Sequence, residues 1–203
     1  MIGLPKNYVA PSMEFPKFFV PFLRKKYQDA KCILEYGSGG STVLAASQPI
    51  LDRKQLISIE SDRNWAKNLQ IFINWRFPFR NVKIIHADIG PTAAWGYPHS
   101  KEFRDMFPNY PRTPWLYQPD LQPDLVLIDG RFRIACFVET LKNLKAPCTI
   151  LFDDYQSREY YHVIEDLVVP EKVKGRIAVF NVDPKKIDRE RLYQFEDYYY
   201  ETK

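Results

Sequence analysis

The residues best placed to do chemistry belong to a glycine-rich bend at positions 37–40. An apolar run containing Glu35 precedes the bend, and Ser41 and Thr42 open a predicted helix after it. Glycine accepts positive φ and lets the backbone approach a ligand, while the first N–H groups of a helix are free donors. A second acid, Glu60, ends the next apolar run, where it could reach a ribose diol. This order predicts a small-molecule site at the carboxyl end of a parallel strand.

Three further acids follow later apolar runs, Asp129 after the fourth and Asp153 and Asp154 after the fifth. Their carboxylates should converge at neighbouring strand ends, and unpaired acids that close repel unless they are protonated or bridged by a cation. A hard divalent ion such as Mg²⁺ would relieve the repulsion and leave positions for substrate oxygens. Two alternatives stay open. In the first, Arg131, Arg133 or Arg158 pairs with Asp153 or Asp154 and neutralises the acids. In the second, Arg131 and Arg133 hold a carboxylate or phosphate of the substrate.

Strand-like and helix-like segments alternate along the chain, and the middle strands are near-continuous apolar runs, as in a parallel sheet covered on both faces. The predicted strands are residues 31–36, 55–60, 82–89, 124–129 and 149–153, and the predicted helices are residues 41–47, 62–75, 134–144 and 158–168. A last pair, residues 175–182 and 192–200, predicts a β-hairpin. The expected fold class is α/β, a doubly wound, Rossmann-like, seven-stranded and mostly parallel sheet with an antiparallel C-terminal hairpin and helices on both faces.

Two segments lie outside this alternation. Residues 13–27 carry apolar side chains at helical spacing and predict a covering helix with a kink at Pro21. Residues 90–123 form a long insertion rich in aromatic residues and prolines. Such an insertion is either a lid or substrate pocket, or a packed loop that covers the sheet, and the sequence leaves both open. The chain from 1 to 203 is predicted to be one domain.

Composition narrows the class of protein. The 203 residues include 29 Lys and Arg against 25 Asp and Glu, a formal charge of +4 with no long block of one sign. We therefore expect no nucleic acid partner. The three cysteines form no C-x-x-C pair and indicate reduced thiols. No segment approaches the ~20 apolar residues of a membrane span, so a soluble cytoplasmic protein without membrane contact is expected, and a homodimer is left open.

The spacing after the bend discriminates between nucleotide cofactors. A dinucleotide-binding G-x-G-x-x-G bend needs a small residue three positions after its second glycine, where helix and strand touch. Counted from Gly39, that position is Thr42, which weakens the case for NAD or FAD. A methyl donor carries no pyrophosphate and does not need that glycine. An acid at Glu35 would suit the ammonium group of a methionine moiety.

Several of these segments resemble the successive motifs of class I S-adenosylmethionine-dependent methyltransferases. They are E-Y-G-S-G at positions 35–39, Glu60, A-D at positions 87–88, and the strand that ends in Asp129. The terminal strand pair also fits, because the sheet of that family ends in an antiparallel hairpin. One departure is Ser41, which stands where the family has its third glycine, although a serine there can still cap the helix.

The resemblance implies S-adenosyl-L-methionine as the cofactor. Gly37 and Gly39 would line its methionine part, Glu60 would hold the ribose hydroxyls, and Asp88 with Ile89 would meet the adenine. The implied cofactor-binding set is Glu35, Gly37, Ser38, Gly39, Gly40, Ser41, Glu60, Ser61, Asp88, Ile89 and Asp129.

The acids after the fourth and fifth strands resemble those of the cation-dependent O-methyltransferases. That resemblance implies Asp129, Asp153 and Asp154 as ligands of a Mg²⁺ that would lower the pKa of a substrate hydroxyl and aim its oxygen at the methyl carbon. The base would be Asp129, His99 or His162. The expected activity is methyl transfer from S-adenosylmethionine to a hydroxyl oxygen of a small-molecule acceptor, with metal assistance as an option.

Two other functions remain as alternatives at this stage. The first is a non-catalytic cofactor-binding or regulatory protein that keeps the methyltransferase fold, since a fold alone never establishes activity. The second is a nucleotide-dependent oxidoreductase, which is disfavoured by Thr42 and by the acids at the fourth and fifth strand ends.

Overall fold

The computed structural model describes residues 8–12, 14–48 and 54–202. These residues form one sheet of seven strands: β1 (Cys32–Tyr36), β2 (Gln55–Glu60), β3 (Val82–His86), β4 (Leu125–Ile128), β5 (Cys148–Phe152), β6 (Lys172–Lys174) and β7 (Ile177–Val182). The strand order is β3-β2-β1-β4-β5-β7-β6. β1 to β5 run parallel, while β7 is antiparallel to both β5 and β6.

Helices connect the parallel strands, as parallel pairing requires. The α-helices are α1 (Val20–Asp29), α2 (Gly40–Ser47), α3 (Arg63–Arg76), α4 (Asn109–Tyr117) and α5 (Arg133–Asn143), and the longer 3₁₀ segments are Glu159–Asp166 and Arg191–Tyr200. Asp62 caps α3 by accepting a 2.8 Å hydrogen bond from the backbone N–H of Trp65. None of the described helices combines the length and the apolar content that a membrane crossing requires.

Side chains alternate between two apolar clusters, one on each face of the sheet. Leu34 and Val126 lie in one cluster together with Phe137 of α5. Their strand neighbours Ile33 and Leu127 lie in the other cluster, which includes side chains of α1 and α3. Both faces of the central strands are therefore covered by helices, and the predicted doubly wound α/β fold is confirmed.

The strand order reverses at β1, which pairs with β2 on one side and with β4 on the other. In open α/β sheets, ligands bind outside the carboxyl ends of the strands at such a switch point. The glycine bend follows β1 directly, Glu60 ends β2, and Asp129 follows β4. The topology thus brings these predicted site residues to one edge of the sheet.

The N-terminal helix is shorter than predicted. It begins at Val20 rather than at residue 13, which lies outside the described residues. Pro21 occupies the first helical turn instead of the interior. A proline there costs no intrahelical hydrogen bond, because the N–H groups of the first turn have no partner inside the helix. The predicted kink at Pro21 is therefore wrong.

The antiparallel hairpin is present, but only one of its strands was predicted correctly. β7 pairs with Lys172–Lys174 and not with residues 192–200, which form a 3₁₀ segment instead. Leu192, Phe195 and Tyr199 are buried at intervals of three and four residues. That spacing is helical, and the aromatic content of the segment had favoured a strand.

Candidate functional site

A cavity of about 760 Å³ opens at the switch point, a volume in the range of small-molecule sites. Residues 9–12, 14 and 15 also line it. We call the part on the β2 side the glycine-rich end, which consists of residues 37–41, Glu60, Ser61, Trp65 and Trp95. We call the part beside β4 and β5 the arginine end, which consists of Asp129, Arg131, Arg133, Asp154 and Arg176.

The two glycines that flank Ser38 have different structural roles. Gly37 has a φ of +99°, and a Cβ there would lie 2.7 Å from the backbone nitrogen of Gly130. The turn therefore requires glycine at position 37. Gly39 has an extended φ of 176°, and a Cβ there would meet no atom within 4 Å. A side chain at position 39 would consequently occupy the cavity without straining the backbone.

Glu35 does not reach the cavity, contrary to the predicted contact with the cofactor. Its side chain is fully buried and accepts hydrogen bonds from the hydroxyls of Tyr27 and Thr42. The Thr42 hydroxyl in turn accepts a 2.9 Å hydrogen bond from the backbone N–H of Gly39. Burial raises the pKa of the Glu35 carboxyl. Glu35 thus fixes the bend from behind and does not line the ligand space.

Glu60 lines the cavity and organises the backbone around it. Its carboxylate accepts hydrogen bonds from the backbone N–H groups of Ser38 (3.2 Å), Ser61 (2.8 Å) and Asp62 (3.0 Å), and from the Ser38 hydroxyl (2.9 Å). Burial raises the pKa of this carboxyl, and the hydrogen bonds from Asp62 and Ser38 counter the rise. The acid therefore joins the bend after β1 to the first turn after β2.

Two tryptophans border the glycine-rich end. The indole N–H of Trp65 donates to the backbone oxygen of Ser38 at 2.9 Å. Trp95 has a φ of +62° and remains 80% exposed. The Ser61 hydroxyl holds this turn by donating to the backbone oxygen of Gly96 at 2.8 Å. A bulky residue in the left-handed region is strained, and such strain clusters at functional sites.

The same kind of strain recurs at the arginine end. Among the described residues, the non-glycine positions with positive φ are Trp95, Phe132 and Asp154. Trp95 and Asp154 line the cavity, and Phe132 lies between the lining residues Arg131 and Arg133. Backbone strain in the described chain is therefore concentrated around one cavity.

Arginines pair all three acids that were predicted to bind a metal. Arg176 makes a bidentate contact with the buried Asp153, at 2.7 Å and 2.6 Å. Arg133 contacts Asp154 at 3.0 Å and Asp129 at 3.3 Å. A further arginine, Arg158, contacts Asp154 at 2.9 Å.

The predicted Mg²⁺ ligands Asp129, Asp153 and Asp154 do not fit a metal centre. Within the described residues, no group of three His, Cys, Asp or Glu side chains is arranged to hold a metal ion. A cation would have to displace guanidinium groups that already satisfy the carboxylate oxygens. The structure supports the alternative in which arginines neutralise the acids, with Arg133 and Arg176 as the main partners.

Asp153 remains the most perturbed acid of this cluster. Burial and then the neighbouring Asp129 carboxyl raise the pKa of Asp153 to about 8, although the Arg176 and Arg133 guanidiniums counter that rise.

Most of the predicted cofactor-binding residues border the cavity, namely Gly37, Ser38, Gly39, Gly40, Ser41, Glu60, Ser61 and Asp129. Their role in binding stays a prediction. Asp88 and Ile89 do not line the cavity: Asp88 is exposed and Ile89 is fully buried. The turn at residues 94–96 lies next to the side chains of Glu60 and Ser61.

The predicted catalytic histidines also lie away from the cavity. His99 is exposed on the insertion, where its backbone N–H donates to Pro91. His162 stacks on the ring of Tyr155, with a centroid distance of 4.5 Å, and its Nε2 lies 3.1 Å from the backbone oxygen of Tyr155. Neither side chain lines the cavity. Asp129 is the predicted base that does.

Several cavity residues were not predicted from the sequence. Arg176 is separated from Asp153 by more than twenty positions, so no local spacing indicated the pair. Trp65 follows Glu60 by five positions and lies in the first turn of α3, which is a signal that could have been used. In the insertion, Phe107 and Tyr110 are buried in the core, as in a packed loop, while Trp95 borders the cavity. A role of the insertion as a lid or substrate pocket stays a prediction.

Comparison with solved structures gives a relative of nearly the same length. A methyltransferase-like protein from Silicibacter pomeroyi DSS-3 is 39% identical, with a TM-score of 0.85, over 95% of this chain and 98% of that protein. Two more distant structures share the fold alone. An O-methyltransferase from Bacillus cereus in complex with SAH (S-adenosylhomocysteine) is 16% identical, with a TM-score of 0.55, over 89% of this chain and 84% of that one. An SAH-bound methyltransferase from Podospora anserina is 15% identical, with a TM-score of 0.57, over 83% of this chain and 80% of that one. No protein-family model and no curated protein matches the chain.

Proposed function

The chain belongs to the class I S-adenosylmethionine-dependent methyltransferase family, and we propose that it transfers a methyl group from S-adenosylmethionine to a hydroxyl oxygen of a small acceptor. The cavity at the switch point would hold both compounds. Small-molecule sites have volumes of about 300–1,000 Å³. The cavity, at about 760 Å³, lies in the upper half of that range and leaves room for an acceptor beside the cofactor.

The residues at the glycine-rich end fit a nucleoside. Open space faces Gly39, and Glu60 sits at the end of β2 with its carboxylate bordering the cavity. Carboxylates at this position of an open α/β sheet accept hydrogen bonds from ribose hydroxyls. Trp65 and Trp95 border the same space and supply flat apolar surfaces for the adenine ring.

Asp129 is the residue we assign to the acceptor hydroxyl. When bound, S-adenosylmethionine supplies an electrophilic methyl carbon. Asp129 borders the cavity with its side chain 26% exposed, so one carboxylate oxygen can accept the proton of a bound hydroxyl. Arg133, whose side chain is only 3% exposed, orients that carboxylate from behind. The proposal includes no metal, because arginines already pair the carboxylates that would bind one.

One observation carries the proposal: the position at Gly39 is open and unstrained, next to the Glu60 carboxylate, at the switch point of the sheet. Thermal unfolding of the wild-type protein with added S-adenosylhomocysteine, and separately with NAD, tests it. A ligand that binds only the folded state stabilises it. We therefore expect S-adenosylhomocysteine to raise the melting temperature and NAD to leave it unchanged. Stabilisation by NAD alone would contradict the proposal.

A further inference from the structure

Direct ion pairs join all but one of the arginines at the arginine end to an acid. The three acids Asp129, Asp153 and Asp154 are matched by Arg133, Arg158 and Arg176 through direct contacts. Six side chains are thus joined in ion pairs. Arg131 lines the same end of the cavity and makes no ion pair with these acids.

Arg131 lines the cavity with its guanidinium lying on the ring of Tyr97, 4.1 Å from the centroid. Its Nε is buried and has no hydrogen-bond partner. Within the described part of the chain, no carboxylate lies within 4.0 Å of its nitrogen atoms. The nearby acid Glu14 accepts a 2.7 Å hydrogen bond from Ser12.

The Arg131 guanidinium is positioned to bind an anion. Buried polar donors are rarely left unpaired, so the Nε of Arg131 calls for an acceptor that the described chain does not provide. Tyr97 fixes the plane of the guanidinium, which leaves its forked donors to meet a carboxylate or a phosphate in bidentate geometry. The Tyr97 turn is itself anchored, because Ala93 donates to the Tyr97 carbonyl at 2.7 Å.

We propose that the methyl acceptor carries an anionic group, a carboxylate or a phosphate, and that Arg131, stacked on Tyr97, binds it. The inference rests on the proposed methyl transfer and names the substrate class of the same cavity. Arg131 follows Asp129 by two positions, so an anion on Arg131 would place a hydroxyl of the same small molecule within reach of the Asp129 carboxylate.

The competing assignment for Arg131 is the carboxylate of the cofactor's own methionine moiety. The two assignments predict opposite results for a single variant. If Arg131 binds the acceptor, Arg131→Gln leaves the affinity for S-adenosylhomocysteine unchanged. If Arg131 binds the cofactor, the same substitution weakens that affinity.

Calorimetric titration of matched anionic and neutral probes tests the proposal. Gallate against its neutral amide, gallamide, tests a carboxylate, and phenyl phosphate against phenol tests a phosphate, each with the free and the S-adenosylhomocysteine-loaded protein. In the wild type we expect at least one anion to bind about tenfold or more tightly than its neutral counterpart, as for a hydrogen bond to a charged group. Arg131→Gln should abolish that preference, and Arg131→Lys should keep part of it.

Arg104→Gln is the matched control, because Arg104 also lies on a tyrosine ring, Tyr200 at 4.5 Å, but does not line the cavity. It should leave both affinities unchanged. Equal binding of anionic and neutral probes to the wild type, or an anion preference that survives Arg131→Gln, would overturn the inference. A loss of S-adenosylhomocysteine affinity in Arg131→Gln would also overturn it. Failure of the wild type to bind S-adenosylhomocysteine, with the anion preference intact, would instead refute the proposed methyl transfer.

Discussion

The two ends of the cavity are built by different means. At the glycine-rich end, Glu60 accepts hydrogen bonds from three backbone N–H groups and one hydroxyl in the segments that follow β1 and β2. At the arginine end, Asp153 and its neighbours are satisfied by long side chains from other elements, Arg133 and Arg176. Backbone donors hold a fixed shape, whereas charged side chains set the charge of a ligand. We therefore propose that the first end binds the cofactor and that the second end selects the acceptor.

We expect the largest effect on activity from a substitution at Asp129, at the arginine end. Asp129→Asn keeps the shape of the side chain but removes the proton acceptor, so we expect turnover to fall by about a hundredfold to ten-thousandfold. The measurement is release of S-adenosylhomocysteine with the fastest acceptor in a panel of phenols and sugars, each with and without a carboxylate or phosphate group. Affinity for S-adenosylhomocysteine should stay within about twofold of the wild type. Unchanged turnover would remove Asp129 from the reaction.

Gly39→Leu should block ligand binding at the glycine-rich end and leave the arginine end unchanged. The extended φ at position 39 accepts a side chain, and that side chain would fill the ligand space. We expect affinity for S-adenosylhomocysteine to fall by about a hundredfold or more, the equivalent of ~2.7 kcal/mol. Thermal stability without ligand should stay close to that of the wild type.

Gly37→Ala is the contrasting variant for that test. It places a Cβ against the Gly130 backbone at positive φ, so it should lower the melting temperature even in the absence of ligand. If Gly39→Leu unfolds as readily as Gly37→Ala, the assigned roles of the two glycines are wrong.

Trp95→Ala tests whether the adenine ring stacks on Trp95 at the glycine-rich end. Stacking of a base on an aromatic ring contributes about 1–3 kcal/mol, so S-adenosylhomocysteine should bind about tenfold more weakly. Trp75→Ala is the matched control, because Trp75 is 71% exposed on α3 and lies outside the cavity. Trp95→Gly should weaken S-adenosylhomocysteine binding as much as Trp95→Ala does. It should nevertheless unfold at a higher temperature than Trp95→Ala, since glycine relieves the strain of φ +62°. Equal affinities for all three variants would exclude stacking on Trp95.

The smallest expected effect is a pH dependence at the arginine end. A carboxyl whose pKa is higher in the folded chain holds its proton more tightly there than in the unfolded chain. The stability it contributes is therefore complete below the unfolded pKa of about 4 and is lost as the pH rises towards the folded value of about 8. We expect the free energy of unfolding to fall by about 1 kcal/mol or more across that range.

Asp153→Asn should flatten that pH profile in denaturant unfolding, because asparagine does not titrate. Asp88→Asn, which alters an exposed acid, is the control and should leave the profile as in the wild type. A wild-type stability that rises between pH 4 and 8 would show that Asp153 is ionised by Arg176 instead.

Local patterns predicted the scaffold well and the long-range contacts poorly. The apolar runs located β1, β2, β4 and β5 to within a residue or two, because burial on both faces leaves a continuous signal. The glycine bend and Glu60 followed from the same order of elements. The hairpin partner was misassigned because residues 192–200 are aromatic enough to be taken for a strand.

The site residues that prediction missed depend on distant partners. Glu35 is turned away from the cavity by Tyr27 of α1 and Thr42 of α2, and no spacing within the motif reveals that. The metal hypothesis failed for a similar reason, since Arg176 reaches Asp153 only once β7 has paired with β5. Charge balance at strand ends is thus a property of the assembled sheet.

We propose that an adenosyl group lies across the glycine-rich end of the cavity. A crystal structure of the protein with S-adenosylhomocysteine tests it most directly. We predict ribose hydroxyls on the Glu60 carboxylate, adenine against Trp65 and Trp95, and the arginine end open to an acceptor. Electron density for the ligand outside this cavity, or a cavity left without ligand at saturating concentration, would contradict the account.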